Sequence, residues 1–259
     1  MAYNVLAGGF RDYDSSEVVP ERLELITKAI KSVGADLVGL VDVFRWKEKY
    51  SEAELKKRFG YKNVYSIDLT DKIIHGGYMG ITVMTNLEVK KFETINIGQT
   101  QAIKTRTKEL DIFTIYLDHW SEETRLKEVT DILKQVDSQK LTVIMGDFNS
   151  MDMASAGAGQ KMVVWGVSQF FPEESKRKVI KDMGRGEVVK LIKNYGLVDA
   201  DNKNVLTFPS EFFRVKTPGA IFKIDYAFVS KNVKVKNHQV LKGGIWEKSS
   251  DHYPIVIEI

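Results

Sequence analysis

The stretch Leu141–Asn149, Leu-Thr-Val-Ile-Met-Gly-Asp-Phe-Asn, decides how the rest of the chain is interpreted. Its first five residues are largely apolar and β-prone, which predicts a buried strand that Gly146 interrupts. Since side chains alternate along a strand, we expect Asp147 and Asn149 to point to the same side. A carboxylate and an amide at the end of a buried strand indicate a polar ligand site. A strand followed by an Asp/Asn turn explains the same residues equally well.

Composition sets outer limits on the fold and the function. At 259 residues the chain is long enough for one large domain, and we expect a single domain over residues 1–259. The absence of cysteine excludes disulfides, thiolate zinc sites and cysteine nucleophiles, and it slightly favours an intracellular location. The net charge of +3 permits a polyanionic partner without requiring one.

No apolar run in the sequence approaches the length of a membrane span, and no signal peptide pattern is visible at the N-terminus. The chain begins directly on a strand-like segment, which leaves room for a leader upstream. We expect the protein to act as a monomer.

The order of predicted elements favours an α/β fold. Apolar residues at helical spacing and capping signals predict helices at residues 20–33, 51–59, from 121 onward, and 187–195. Apolar runs predict strands at residues 2–7, 36–43, 61–67, 80–85, 90–97, 111–116, 223–230, 233–241 and 250–259, besides the opening stretch. Strands in both halves, with few helices between them, indicate a four-layer sandwich of two packed mixed β-sheets with helices outside.

Residues 150–186 form the part of the chain that we predict to be irregular. A long insertion after a site strand is usually functional or disordered. Its aromatic residues Trp165, Phe170 and Phe171 could stack on bases or a lipid, or could pack the insertion onto the sandwich.

Polar residues recur at the predicted strand ends, where a plain core would not need them. A carboxylate in a buried strand costs several kcal/mol unless it is paired or bound to a metal, so one shared site is the simplest explanation. Oxygen ligands without thiolates suit Mg²⁺ or Mn²⁺ rather than Zn²⁺. The residues in question are Asn4, Asp42, Asp147, Asn149, Asp225, Asp251 and His252.

The order of these motifs resembles the endonuclease/exonuclease/phosphatase superfamily, which includes deoxyribonuclease I and exonuclease III. The resemblance covers essentially the whole chain and is most specific in the pairing of Gly-Asp-Phe-Asn at 146–149 with Ser-Asp-His at 250–252. It implies a four-layer α/β sandwich that hydrolyses phosphoesters with a divalent cation, Mg²⁺ or Mn²⁺.

The resemblance also implies a role for each residue. Asp42 would bind the metal, Asn4 at the same metal site would orient Asp42 and the bound water, and Asp251 would help with the metal or with the nucleophile. Asp147 would orient or deprotonate the attacking water, and Asn149 would hold the water or the phosphate. His252 would contact the phosphoryl oxygens while Asp225 fixes its tautomer.

Two positions depart from the family pattern. The usual Gln-Glu pair of the metal site is Val41-Asp42 here, and Asp is one methylene shorter than Glu. The usual His of the central strand is Tyr116, which matches the exonuclease III branch and could donate a hydrogen bond to the phosphate.

Three hypotheses follow for the function. The first is a Mg²⁺-dependent phosphoesterase that cleaves nucleic-acid phosphodiesters. The second is the same machinery acting on a small-molecule or lipid head-group phosphoester, with the difference lying in loops such as 150–186. The third is a binding module of the same fold that has lost efficient chemistry through the changes at Asp42 and Tyr116.

The remaining polar candidates are expected to be structural. His75 and His238 are predicted at the surface or in turns, and Arg106 as an exposed residue on a strand. Ser121 is predicted to cap a helix. His119 follows Asp118 in a loop and is the one of these residues that could reach the site.

Overall fold

The computed structural model describes residues 1–13, 17–74, 77–210 and 220–259, and of residues 70–74 it describes the backbone alone. In chain order the strands are β1 Ala2–Asn4, β2 Leu37–Val41, β3 Asn63–Ile74, β4 Gly77–Thr85, β5 Lys91–Ile97, β6 Thr100–Arg106, β7 Leu110–Tyr116, β8 Leu141–Asp147, β9 Leu197–Asp199, β10 Asp225–Ser230, β11 Asn237–Val240 and β12 Ile255–Glu258. The helices are α1 Pro20–Val33, α2 Trp46–Lys49, α3 Glu52–Phe59, α4 Glu122–Lys134, α5 Ala158–Phe170, α6 Glu174–Met183, α7 Glu187–Tyr195 and α8 Trp246–Ser249.

These strands form two mixed sheets of six strands each. One has the order β11-β12-β1-β2-β4-β3, and the other has the order β5-β6-β7-β8-β10-β9. β1 pairs parallel with β2, and β7 pairs parallel with β8. The neighbours β12 and β10 run antiparallel to β1 and β8. As a result, one end of the sandwich brings together the C-terminal ends of β1, β2, β7 and β8 and the N-terminal ends of β10 and β12.

Apolar side chains fill the space between the sheets and the space under the outer helices. One cluster joins residues of both sheets, such as Leu40 and Met145, and extends to Ile26 of α1. A second cluster packs Val129 of α4 and Val189 of α7 onto the outer face of the other sheet. The predicted four-layer α/β sandwich is therefore confirmed.

Local sequence signals explain where several helices begin and end. Pro20 occupies the first turn of α1, and Gly34 ends it in the left-handed conformation. Ser51 and Glu54 make the predicted capping box at α3. Ser121 accepts a hydrogen bond from the backbone N–H of Thr124 and caps α4, as predicted.

Two predictions about elements need correction. The segment 150–186 is not irregular, because it contains the helices α5 and α6. The first strand ends at Asn4 rather than Ala7, since Leu6 and Ala7 have positive φ angles of 39° and 56° that no strand accommodates. Among the described residues, no helix has the length and apolar character needed to cross a bilayer.

Candidate active site

The predicted site residues lie at the shared end of the two sheets, and the topology explains why. Asn4, Tyr116 and Asp147 are the last residues of β1, β7 and β8, and Asp42 directly follows β2. Because β10 is antiparallel to β8, its first residue Asp225 is paired with Asp147.

Asp251 and His252 precede β12, whose start lies beside β1, with Ile255 paired to Ala2. Residues far apart in sequence are therefore brought to one edge. All of these side chains are buried.

Asp147 is held by amide donors from both sheets. Asn4 Nδ2 donates to Asp147 Oδ2 over 3.0 Å, which links β1 to β8 across the sandwich. The backbone N–H of Asn149 donates to Asp147 Oδ1 over 2.9 Å. These donors orient both carboxylate oxygens of Asp147.

Asn149 reaches the site by a turn and not by strand alternation. The strand ends at Asp147, and Asn149 has a φ of 47° in the left-handed region. Its Nδ2 donates to the carbonyl of Leu117 over 3.1 Å. The expectation that strand periodicity brings Asp147 and Asn149 together is wrong, although the two residues do meet.

His252 and Asp225 form a buried hydrogen-bonded pair. His252 Nδ1 lies 2.9 Å from Asp225 Oδ2, and Nε2 lies 4.0 Å from Asp147 Oδ2. Burial lowers the pKa of His252, but the charges of Asp225 and Asp251 and the hydrogen bond outweigh it and raise the pKa to about 10. These carboxylates therefore favour the protonated ring, whose Nε2 lies on the side away from Asp225.

Asp42 is fixed by two donors. The phenol of Tyr13 donates to Asp42 Oδ2 over 2.7 Å, and the backbone N–H of Ala7 donates to Oδ1 over 3.2 Å. Asp42 itself has a φ of 60°, a conformation that Asp tolerates better than longer residues. Burial and the charge of Asp251 raise the pKa of Asp42 to about 6, against the lowering effect of these hydrogen bonds.

Asp251 and Tyr116 complete the set. Burial raises the pKa of Asp251, and Ser250 Oγ lies 3.3 Å from Asp251 Oδ1. Ser250 Oγ also donates to the carbonyl of Asn4 over 2.7 Å, so this loop is tied to β1. Burial and the charges of Asp42 and Asp147 raise the pKa of Tyr116 well above its ordinary value, which keeps its phenol protonated.

The site concentrates negative charge that burial makes unfavourable. Burial, followed by the charge of Asp225, raises the pKa of Asp147 to about 7. Each raised carboxyl pKa means that the charged carboxylate is unfavourable where no positive charge lies beside it, and a cation placed among these groups would stabilise the charged form. The donor set of carboxylates and amides is a hard-oxygen set and fits a divalent cation such as Mg²⁺.

Two groups of residues could hold such a cation. The ligand atoms of Asp147, Asp225 and His252 lie within 4.8 Å of one another, so this group could bind a metal ion. Asp225 Oδ2 lies 2.9 Å from His252 Nδ1, so Nε2 is the ring nitrogen left to ligate a metal in this group. The pair Asp42 and Asp251 is the other candidate, since the charge of Asp251 acts on the buried Asp42 carboxyl.

Sequence reasoning missed two residues of the site, Tyr13 and Arg22. Arg22 on α1 is buried and donates to the carbonyls of Phe10 and Val5 over 2.8 and 2.9 Å, and also to that of Leu6. Burial lowers its pKa, while the charges of Asp251 and Asp42 act in the opposite direction. Arg22 thus holds the loop after β1 and brings a cation near the carboxylates. No sequence motif marks either residue.

Other candidates lie elsewhere. Arg106 is a partly exposed residue on β6 that pairs with Glu93, as predicted for a strand surface. His238 is not in a turn but on β11, where its Nδ1 lies 3.7 Å from Asp201. His119 packs against Trp120 with ring centroids 4.4 Å apart. His75 lies outside the described residues.

The fold and the site together define an α/β sandwich with an acidic, histidine-containing centre at one end of its sheets. Residues 1–252 match the model of the Endonuclease/Exonuclease/phosphatase family. The chain belongs to this family. No curated protein matches its sequence.

Solved structures of low sequence identity share the fold. An AP endonuclease from Archaeoglobus fulgidus has a TM-score of 0.63 at 17% identity and covers 100% of this chain and 98% of its own. A 3′ phosphatase from Neisseria bound to a product DNA hairpin has a TM-score of 0.63 at 14% identity, with coverage of 99% and 97%. A mannosyl-6-phosphatase from Bacteroides thetaiotaomicron has a TM-score of 0.62 at 15% identity, with coverage of 99% and 98%.

Proposed function

We propose that the protein is a divalent-metal-dependent hydrolase of phosphoesters that uses in-line attack by an activated water. The observation that carries this proposal is the convergence, at one end of the sandwich, of buried carboxylates and a histidine that is hydrogen-bonded to one of them. Opposite charges of this kind suit a phosphoryl group, which needs cations at its oxygens and a base for the incoming water.

In this proposal Asp42 and Asp251, assisted by Asn4, hold the Mg²⁺ or Mn²⁺ ion. When bound, the ion neutralises phosphate charge and stabilises the leaving oxygen. Tyr13 keeps the Asp42 carboxylate in place through its hydrogen bond of 2.7 Å. A fixed ligand of this kind binds a metal more tightly than a mobile one.

Asp147 is the group that orients the water and takes its proton. Its raised pKa of about 7 allows it to accept a proton near neutral pH. The amide donors of Asn4 and Asn149 fix its two oxygens, so the base is oriented before substrate binds. Asn149 also assists in holding the water or the phosphate.

His252 and Tyr116 are the donors for the phosphoryl oxygens. Asp225 occupies His252 Nδ1, which leaves Nε2–H to donate to the substrate. The protonated phenol of Tyr116 offers a neutral donor from the end of β7. Fixed donors at oxygens that gain charge are the common means of stabilising such transition states.

A nucleic-acid phosphodiester is the substrate that the sequence predicts. The fold is shared with an AP endonuclease and with a 3′ phosphatase bound to DNA, which supports this prediction. A lipid head-group phosphoester is the second candidate, and the exposed apolar helix α5 favours it. Both substrates require the same catalytic groups.

A substrate panel tests the proposal. We expect Mn²⁺-dependent hydrolysis of abasic duplex DNA, 3′-phosphorylated DNA, a phospholipid or bis(p-nitrophenyl) phosphate, and loss of activity in EDTA. Asp147→Ala and His252→Ala should each lower the rate by more than about 10²-fold, the usual contribution of a general acid or base. Asp137→Ala, an exposed aspartate at the other end of β8, is the matched control and should leave the rate unchanged.

Unchanged rates in the Asp147 or His252 variants would contradict the assignment. A folded wild-type protein that hydrolyses none of these substrates and binds no Mn²⁺ in calorimetry would favour a binding module of the same fold instead.

A further inference from the structure

Helix α5 presents an apolar face to solvent. Met162, Trp165 and Phe170 are 70%, 59% and 76% exposed, and Val163 is 40% exposed. The one charged residue within Ala158–Phe170 is Lys161. Helices on protein surfaces normally expose polar residues, so a helix with large apolar groups on its outer side indicates a binding surface.

Basic residues are frequent on α5, α6 and the turns beside them. Residues 157–186 contain six Lys or Arg and three Asp or Glu, an excess equal to the net charge of +3 of the whole chain. Lys161, Lys178 and Lys181 are exposed and form no ion pair with carboxylates of residues 1–13, 17–74, 77–210 or 220–259. The α5–α6 pair thus carries a net positive charge.

Helices α5 and α6 contact each other and bury residues in the same cluster. Val164 of α5 and Ile180 and Met183 of α6 are buried in one apolar cluster. Because both helices bury one side in this cluster, their other sides point away from it. We call the exposed residues of these two adjacent helices, the apolar groups of α5 and the lysines of α6, the α5–α6 surface.

We propose that the α5–α6 surface docks onto a membrane that contains anionic phospholipid. Helices that lie in the interfacial region of a bilayer combine Trp, Phe and Met on an apolar face with lysines beside it, as the α5–α6 surface does. Nucleic acid would satisfy the lysines but leave the apolar face in water. A second copy of the chain in a symmetric contact would set lysine rim against lysine rim.

The α5–α6 surface is connected to the candidate active site. The cluster beneath the two helices includes Phe222 and Ile224, and Phe208 packs against it. The ring centroid of Phe208 lies 4.8 Å from that of His252. The two helices and the catalytic end thus share one packed region, and the substrate that suits docking at a membrane is a lipid phosphoester, an inference that rests on the proposed hydrolase function.

Vesicle flotation tests the docking. We expect the wild-type protein to float with vesicles of phosphatidylcholine and phosphatidylglycerol in equal parts, and to stay behind with phosphatidylcholine alone. The double variant Trp165→Ser/Phe170→Ser should bind at least about tenfold more weakly, since apolar burial drives interfacial binding. Lys178→Gln/Lys181→Gln should weaken binding at low salt and less so at high salt.

Tyr195→Ser is the matched control, because this exposed tyrosine lines a depression with Leu141 and Ser230 at the opposite end of the strands. It should float like the wild type, and circular dichroism should give the same spectrum for all variants. Equal flotation of the wild type and Trp165→Ser/Phe170→Ser would overturn the proposal. The proposal would also be overturned if the Trp165→Ser/Phe170→Ser variant lost DNA affinity, or lost self-association in light scattering, while it kept its binding to vesicles.

Hydrolysis of soluble bis(p-nitrophenyl) phosphate separates docking from catalysis. The Trp165→Ser/Phe170→Ser variant should keep this activity and lose hydrolysis of phospholipid in vesicles. Intact soluble activity without any vesicle binding overturns the docking alone. Vesicle binding without hydrolysis of any phosphoester overturns the hydrolase function and the lipid substrate, and leaves the docking standing.

Discussion

At the scale of single residues, the hydrogen bond from Tyr13 to Asp42 is the contact with the clearest consequence. We predict that Tyr13→Phe lowers Mn²⁺ affinity by about tenfold or more, because a metal ligand without its supporting partner is less well oriented. The same change should cost roughly 1.5–3 kcal/mol of stability, the usual contribution of a hydrogen bond to a charged group. Calorimetric titration and urea unfolding measure the two effects.

Tyr195→Phe removes a phenol oxygen from an exposed tyrosine far from the site, and both quantities should stay at their wild-type values. Wild-type Mn²⁺ affinity in Tyr13→Phe would show that the phenol does not support a metal ligand.

Asp42 stands where the family pattern has a glutamate, and its surroundings fit the shorter side chain. Its φ of 60° favours Asp over Glu, and both of its oxygens already have donors. We predict that Asp42→Glu gains no activity and loses about 1 kcal/mol of stability through backbone strain. Steady-state kinetics with Mn²⁺ and urea unfolding provide the measurements. A rate increase of tenfold or more would instead mean that Asp42 impairs the site.

Tyr13 and Arg22 could not be predicted from the sequence, because they act through contacts that form only in the folded protein. Asp147, Asp225 and His252 stand in motifs that can be recognised in the chain. Tyr13 and Arg22 stand in a polar loop and on an ordinary amphipathic helix, and only the packing of α1 against the loop after β1 brings them to the site. Their roles therefore follow from distances and not from motifs.

At the scale of elements, the end of β8 depends on a glycine. Gly146 has a φ of 142°, and a Cβ there would lie 2.0 Å from the carbonyl oxygen of Ile115 on β7. We predict that Gly146→Ala costs more than about 2 kcal/mol and lowers activity, because β7 and β8 must separate and Asp147 must move. Thermal unfolding and hydrolysis assays detect both effects.

Gly166→Ala on α5 is the matched control. A Cβ at Gly166 meets no atom within 4 Å, so the change should stabilise the helix by about 0.5–1 kcal/mol. A Gly146→Ala protein as stable and active as the wild type would show that β7 and β8 adapt freely at this point.

Elements with strong local signals were predictable, and α5 and α6 were not. Residues 20–33 have an amphipathic stripe between a proline and a glycine, so both ends of α1 are marked. Helix α5 is apolar on several sides and contains Gly159 and Gly166, which hides its period. Helix α6 lies in a run of charge and is held by burial of Ile180 and Met183 under α5. Tertiary packing decides these two helices.

At the scale of the whole molecule, the sandwich is assembled around repelling charges at one end. Burial raises the pKa of Asp42 to about 6, that of Asp147 to about 7, and that of Asp251 in the same direction. The charges near His252 raise its pKa to about 10. The folded protein thus binds protons at these groups more tightly than the unfolded chain, so without metal its stability should fall as pH rises from about 4 to about 10.

A bound metal ion should offset the loss of stability that the charged carboxylates cause, and the Asp251→Asn variant tests this expectation. Removal of one buried carboxylate should raise the melting temperature of the metal-free protein at pH 8, and by less at pH 5, where more of the Asp251 carboxyl is protonated. Mn²⁺ at a hundred times its Kd should stabilise the wild type by about 2.7 kcal/mol and the variant much less, because a ligand is gone.

Calorimetric unfolding of the wild type and of Asp251→Asn, each with Mn²⁺ and with EDTA, measures these effects. Asp137→Asn, at an exposed site, is the control and should behave as the wild type under both conditions. A less stable Asp251→Asn protein that keeps the full Mn²⁺ response would mean that Asp251 supports the fold and does not bind the metal. We predict that Asp251→Asn raises stability and removes the response to Mn²⁺. If Asp251 were a structural carboxylate, its substitution would instead lower stability and leave the response to Mn²⁺ intact.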